Sequence, residues 1–362
     1  MCLIGRWLFL SNLAPIAYMT GVNIVISIVW TLCTNKLYVK IYPPRQILVI
    51  YGKTVPELLI GKMKTRGDKY HIREVIPCQK DMEALKGKIN NYDSILLSEI
   101  PADIRDRILK YCYQQNIRCY AVPSISDIML INAEKIQITD EELLLFRNQG
   151  LTAGQRSAKR AFDIVAGLIA AVIASPFMII IALAIKLYDG GPVFFTHDRL
   201  TCDGRVFKIY KFRSMRVQQE QQGYCLTRKN DDRITPVGKV IRKLHLDELP
   251  QIINIVKGDM SFVGPRPETP ALAEEYTSHL PEFPFRLKVK AGLTGYAQVY
   301  GRYNTTPEDK LKMDLTYIEK YSFWLDLKLM LLTFKILFQK ENTEGIESWQ
   351  TSAEVQQNHT EV

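Results

Sequence analysis

Residues 164–185 read IVAGLIAAVIASPFMIIIALAI, an uncharged run with a Ser-Pro pair, Ser175-Pro176, near its middle. A run of that length spans the roughly 30 Å hydrocarbon core of a bilayer as one helix. Two features oppose a simple span. Inside a straight helix a proline removes a backbone hydrogen bond and costs about 3 kcal/mol. Basic residues also flank both ends, with Arg156, Lys159 and Arg160 before the run and Lys186, Arg199, Arg205 and Lys208 after it. A spanning helix puts one of those flanks on the wrong face of the membrane. A helix that enters one leaflet, breaks at Ser175-Pro176 and returns satisfies both observations, if the serine hydroxyl or neighbouring protein covers the freed carbonyls. On these residues alone, the re-entrant path and a proline-kinked span both stand.

Upstream lies a second apolar run. No charge occurs from Trp7 to Asn35, and Leu13–Cys33 is long enough to cross a bilayer. Arg6 precedes it, whereas Lys36, Lys40, Arg45 and Lys53 follow, so the positive-inside rule puts the following chain in the cytoplasm. We read 7–35 as a transmembrane anchor; the run exceeds a typical signal-peptide core and no clear cleavage site follows. From 45 to 135, short apolar runs alternate with helical patterns. RQILVIYG (Arg45–Gly52), YDSILLSE (Tyr92–Glu99) and IRCYAVP (Ile117–Pro123) read as buried strands. Pro101–Gln115 reads as a helix with Ile104, Ile108, Leu109 and Cys112 on one face. Strand–helix–strand order predicts a small parallel α/β sheet of Rossmann type, without the G-x-G-x-x-G fingerprint after Gly52. A polar linker, 136–157, leads into a second domain at 158–340.

That domain holds most of the chain's charge. Between 197 and 243 stand twelve lysines and arginines against five acids, an excess of seven in a formal net charge of +9. VFKIYKFRSM (Val206–Met215) alternates apolar and basic residues like a half-buried strand whose basic face suits phosphates or anionic headgroups. Within this basic setting LHLDELPQ (Leu244–Gln251) places Asp247 beside Glu248, which alone reads as a capped helix end. GDMSFVGPRPETP (Gly258–Pro270) follows, its glycines and prolines predicting a rigid loop that presents Arg266. A guanidinium held this way suits bidentate phosphate binding. A second glycine-rich loop, KVKAGLTGYAQVYGR, spans Lys288–Arg302. Ser322–Lys340 mixes Trp324, Phe334 and Phe338 with spaced lysines and reads as an interfacial helix or a core helix. The acidic tail 341–362 is expected to be disordered.

Seven scattered cysteines without a C-x-x-C pair and five isolated histidines exclude a disulfide framework and a zinc site of familiar spacing. The positive charge asks for an anionic partner, and with two membrane segments and no binding motif we expect no nucleic acid.

KRAFDIVAG, the Ser-Pro break, GPVFF, FKIYKFRSM, DDRITPVGKVIRK, LDELPQ, GDMSFVGPRP and GLTGYAQV occur in this order over about 155–340. Together they resemble the bacterial sugar transferase family, the polyprenyl-phosphate sugar-1-phosphate transferases. The anchor and fingerprint-less first domain resemble the family's longer members, which serve capsule, exopolysaccharide and O-antigen assembly. The resemblance implies an α/β Rossmann-like N-terminal domain plus an α+β, helix-rich, membrane-associated catalytic domain, with 164–185 as a re-entrant helix. It implies transfer of a hexose 1-phosphate from a UDP-sugar to undecaprenyl phosphate at the cytoplasmic face of the inner membrane. Asp247 is then the nucleophile, forming a covalent sugar-phosphoryl aspartate and releasing UMP. Glu248 binds Mg²⁺, and Arg266 holds phosphate, with Lys211, Arg213 and Arg233 as further phosphate-binding candidates. Partners are the two substrates and membrane lipid; self-association into a homo-oligomer stays open. A non-catalytic scaffold and a nucleotide-sensing regulator are the rival readings, and the intact Asp247, Glu248 and Arg266 and the missing fingerprint speak against them.

Some positions depart from the usual pattern. Thr196-His197 replaces arginine-glutamine, Thr201 a glycine, His245 a serine and Ala291 a proline. Longer members usually carry several N-terminal spans, so the single one here reads as a truncated start or a shortened form.

Overall fold

β1 (Arg45–Tyr51) is the strand expected from RQILVIY, with Ile47, Leu48, Val49 and Ile50 wholly buried. The computed structural model describes residues 14–79, 81–146, 150–216, 233–301 and 305–337. The expectations for 7–13 of the anchor, for Phe338 and for the tail lie outside those residues. The chain divides into two units, Met1–Pro123 and Ser124–Val362.

In the first unit α1 (Ala14–Ile41) is long and apolar enough to cross a membrane. β1 is followed by α2 (Glu57–Lys64), β2 (Tyr70–Pro77), α3 (Met82–Ile89), β3 (Ser94–Ser98), α4 (Ala102–Gln114) and β4 (Arg118–Ala121). The four strands form one parallel sheet in the order β2-β1-β3-β4. Strands buried on both faces carry continuous apolar runs, which is why β1 and β3 stand out in the sequence. On α4, Ile108 and Cys112 are buried as expected, whereas Leu109 is exposed.

The second unit begins earlier than a boundary at 135 would place it. α5 (Ile125–Leu130) buries Ile128 in a core shared with Val263, Phe283, Leu311, Leu315, Tyr317 and Leu329. The expected linker contains an antiparallel hairpin of β5 (Glu134–Ile138) and β6 (Glu141–Leu145). α6 (Ala153–Asp189) then starts on a capping box, with Thr152 and Gln155 satisfying one another's amides.

α6 corrects one expectation: the helix runs unbroken through Pro176. The proline withholds the N–H that would meet the Val172 carbonyl, and the Ser175 hydroxyl donates to that same carbonyl at 2.8 Å. The freed acceptor is satisfied, so the helix need not open. Lys159, Asp163, Gly167, Ala174, Ile181 and Ile185 form one buried stripe, while Val165, Ile169, Val172, Ile173, Phe177 and Ile180 are exposed. At 1.5 Å per residue a straight helix of this length runs about 55 Å, well beyond one bilayer core.

Both ends of α6 pack on the same unit. β7 (Phe194–Leu200) pairs antiparallel with β8 (Val206–Phe212). Next come α7 (Pro236–Lys243), α8 (Gln251–Lys257), β9 (Met260–Val263), α9 (Pro270–His279), β10 (Ala291–Thr294), α10 (Tyr296–Tyr300), α11 (Pro307–Glu319) and α12 (Phe323–Leu337). Near the start of α6, Arg160 donates to the Ile255 and Val256 carbonyls at 2.7 Å each, closing the end of α8. Gly167 faces α8 so closely that a Cβ would meet Val256 at 3.0 Å. Lys159 pairs with the buried Asp326 of α12 at 2.5 Å. At the far end, Ile181 and Ile185 pack with Phe212 of β8 and Ile241 of α7. On α12, Asp326 and Leu329 are buried while Trp324, Leu331 and Phe334 are exposed.

Candidate active site

The Asp-Glu pair is not a helix end. α7 stops at Lys243, and His245 takes a left-handed turn with φ of 54°. Leu246–Glu248 then forms one 3₁₀ turn ahead of α8. Three residues per turn separate adjacent side chains by about 120°, a little more than in an α-helix. Asp247 and Glu248 therefore point apart from neighbouring backbone positions.

Two cations from other elements converge on Glu248. Phe207 and Ile209 are the inward residues of β8, and Lys211 is the next residue of the same parity. Its ammonium reaches Glu248 Oε1 at 2.7 Å. Arg266 donates to the same oxygen from the Pro-Arg-Pro loop at 3.2 Å. Arg266 is 49% exposed and Glu248 20%, so the pair is open on one side. Burial pushes the Glu248 carboxyl up, but Arg266 and Lys211 outweigh it and hold the group well below the usual carboxylate range. Asp247 moves the other way: burial, and then the charge of Glu248, raise it against the pull of Lys211 and Arg242. Two adjacent carboxyls are thus driven apart, one fixed as an anion and the other made more basic.

The loop carrying Arg266 is held by its backbone. β9 and β10 lie parallel, and a Cβ on Gly292 would sit 2.1 Å from the Gly264 nitrogen, so only glycine permits the approach. Gly292 N–H donates to the Pro265 carbonyl, Arg199 to that of Pro267, and Leu200 N–H to that of Glu268.

The other two expected phosphate ligands, Arg213 and Arg233, come from different stretches of the chain. Arg213 is 3% exposed and is committed to Asp189 at the end of α6, across Gly191. It lies two positions beyond Lys211, where the chain has left β8 and its amide donates to the Val193 carbonyl. Its described partner is thus a carboxylate of the chain itself. Arg233 sits beside the bridge between Met215 and Ile234, its carbonyl accepting from the Arg216 amide. Ser175 and Pro176 lie in α6, as described above.

Sequence reading missed a buried charge network behind the loop, formed by Glu268, Arg286, Lys310 and Asp314. Glu268 follows directly on the Pro-Arg-Pro motif and was its visible hint. Lys310 and Asp314 sit at i,i+4 on α11 and look like a solvated surface pair until the fold buries them.

No group of three or more metal-ligating side chains gathers among the described residues. The oxygen donors of Asp247 and Glu248 nonetheless fit magnesium, which is commonly held by one or two carboxylates together with substrate phosphates and water.

The family described as bacterial sugar transferase matches residues 154–340, just over half of the chain. The chain is 36% identical over 257 residues to the UDP-N-acetylgalactosamine-undecaprenyl-phosphate N-acetylgalactosaminephosphotransferase of Aeromonas hydrophila, covering 68% of this chain and 59% of that one. It is 36% identical over 239 residues to the undecaprenyl-phosphate galactose phosphotransferase of Salmonella typhimurium (61% of this chain, 49% of that one). It is 37% identical over 189 residues to a UDP-glucose:undecaprenyl-phosphate glucose-1-phosphate transferase of Caulobacter vibrioides (51% and 71%). The chain thus spans about half the length of the first two relatives. Matched over the basic strand, the Asp-Glu turn and the Pro-Arg-Pro loop, this chain belongs to the bacterial sugar transferase family.

Proposed function

We propose that the protein transfers a hexose 1-phosphate from a UDP-sugar to undecaprenyl phosphate, starting a surface polysaccharide on its lipid carrier. The observation that carries this reading is the convergence of Lys211 and Arg266 on Glu248 beside a carboxyl of raised basicity at Asp247. Both substrates are anions, so direct attack of one phosphate on the other meets charge repulsion. A carboxylate nucleophile divides the transfer into two steps.

In the first step an Asp247 oxygen attacks the β-phosphorus that bears the sugar. The bond from that phosphorus to the bridging oxygen breaks, and UMP leaves with the electron pair. In the second, a lipid phosphate oxygen attacks the phosphosugar on Asp247, the acyl phosphate bond breaks, and the carboxylate is restored. Arg266, half exposed, turns its remaining N–H groups to phosphate oxygens, and Lys211 keeps Glu248 in place. Magnesium bound at Glu248, with Asp247 beside it, would neutralise charge on the pyrophosphate.

We read α6 as re-entrant from the cytoplasmic face of the inner membrane. Its support is that both helix ends pack on one folded unit while the apolar remainder is exposed. The sheet order β2-β1-β3-β4 supports a Rossmann-like first unit.

The test uses membranes containing the protein, Mg²⁺, undecaprenyl phosphate and a panel of radiolabelled UDP-sugars. A labelled sugar-diphospholipid should form with at least one donor and not with Asp247→Asn. No product from any donor, or undiminished product from the variant, sinks the reading.

A further inference from the structure

Arg286 is 2% exposed and comes from the 3₁₀ segment Phe283–Lys288. Its guanidinium lies against the Phe283 ring, 5.0 Å from the centroid. Nε and Nη2 grip Asp314 Oδ2 at 2.8 and 2.7 Å, and Nη1 stands 3.5 Å from Glu268 Oε1. Nη2 also donates to the main-chain carbonyl of Arg266 at 3.0 Å. That bond completes a series: the carbonyls of residues 265, 266, 267 and 268 are each held by a different group, Gly292, Arg286, Arg199 and Leu200. Pro265 and Pro267 have no N–H, so these acceptor bonds are the main polar restraint on the loop.

The charges point the same way. Lys310 joins Glu268 at 2.9 Å, so two cations balance two carboxylates behind the loop. Burying such ions is tolerable only when all are paired. Without Arg286, Glu268 and Asp314 outnumber Lys310, and Arg266, though paired with Glu248, already lies within the field of Glu268. Arg266 would then be drawn back toward the network and away from Glu248.

We infer that Arg286 is a positioning residue for the transfer: it holds the Arg266 backbone and satisfies Glu268, leaving the Arg266 guanidinium for Glu248 and substrate phosphate. The inference rests on the transferase reading for its kinetic consequence and on geometry alone for its structural one.

The full-length protein in membranes is assayed with and without Arg286→Lys, in the native and in the Arg266→Ala background. Lysine keeps the charge but lacks the fork that spans a carboxylate and a carbonyl. In the native background kcat/KM should fall about 100-fold, mostly in kcat. In the Arg266→Ala background the same change should cost less than about threefold, because the residue it acts through is gone. Equal losses in both backgrounds overturn the inference. Hydrogen exchange gives an independent reading: the Gly292 and Leu200 amides, which donate to the loop carbonyls of Pro265 and Glu268, should exchange at least about tenfold faster in Arg286→Lys, with the α4 core unchanged. Unaltered exchange there overturns the inference whatever the assay gives. Should Arg286→Lys fail to accumulate, Lys310→Met strips Glu268 of its other partner and must show the same dependence on Arg266. Absence of product from the unsubstituted protein counts against the transferase reading only, and the exchange result then decides the positioning role.

Discussion

Thr201 and Ala291 stand where the family usually has glycine and proline, and the structure joins them. The Ala291 amide donates to the Thr201 hydroxyl at 3.2 Å, and that hydroxyl donates to the Asp259 carbonyl at 2.8 Å. A proline at 291 needs no acceptor and a glycine at 201 offers none, so the two departures answer one another. Thr201→Gly alone should destabilise by about 1–3 kcal/mol, because it strands a buried amide. Adding Ala291→Pro should recover about 1 kcal/mol, read as coupling in urea unfolding, and strict additivity would count against the link. Asp247 supplies a pH prediction. The proposed attack needs the carboxylate, and the group is raised, so kcat/KM should fall with falling pH along a limb above the ordinary aspartate value of about 3.9. A limb at or below that value would show that Asp247 is not held as the structure indicates. The pair itself was visible in LHLDELPQ; the left-handed His245 that turns it was not, since a histidine, though enriched in that conformation, adopts it only in a small minority of positions.

At the scale of elements, legibility followed burial. β1 and β3 were readable because the two central strands of a parallel sheet demand apolar runs; of the edge strands, β4 was readable from the apolar residues of IRCYAVP, whereas β2 places His71, Arg73 and Glu74 along its length and gave no such signal. β8 was readable from its alternation, but where that alternation ends was not, and with it the burial of Arg213 against Asp189. α6 misled because the hydrogen bond that Pro176 forfeits is replaced at the Val172 carbonyl by the Ser175 hydroxyl. The path of α6 is open to a direct test. Single cysteines placed at Arg156 and Tyr188, in a background stripped of the native thiols, should react with an impermeant maleimide from the same face of membrane vesicles. Labelling from opposite faces would establish a span instead.

For the whole molecule, every residue assigned to the site lies in the unit from Ser124 onward. A chain beginning at Ser124 should therefore keep donor-dependent product formation within about tenfold per folded protein, and a chain ending at Pro123 should have none. Loss of all activity from a folded Ser124 chain would show that the first unit takes part in the chemistry. The three relatives act by name on N-acetylgalactosamine, galactose and glucose donors at nearly equal identity, so overall similarity does not choose the sugar here. The Ser175 hydroxyl on the Val172 carbonyl bears on the cell as well as on the helix. Along the proposed membrane path an unanswered carbonyl would invite water into the lipid, and hydrated defects conduct protons. By closing that acceptor from within its own turn, the helix can follow the proposed path without opening such a defect.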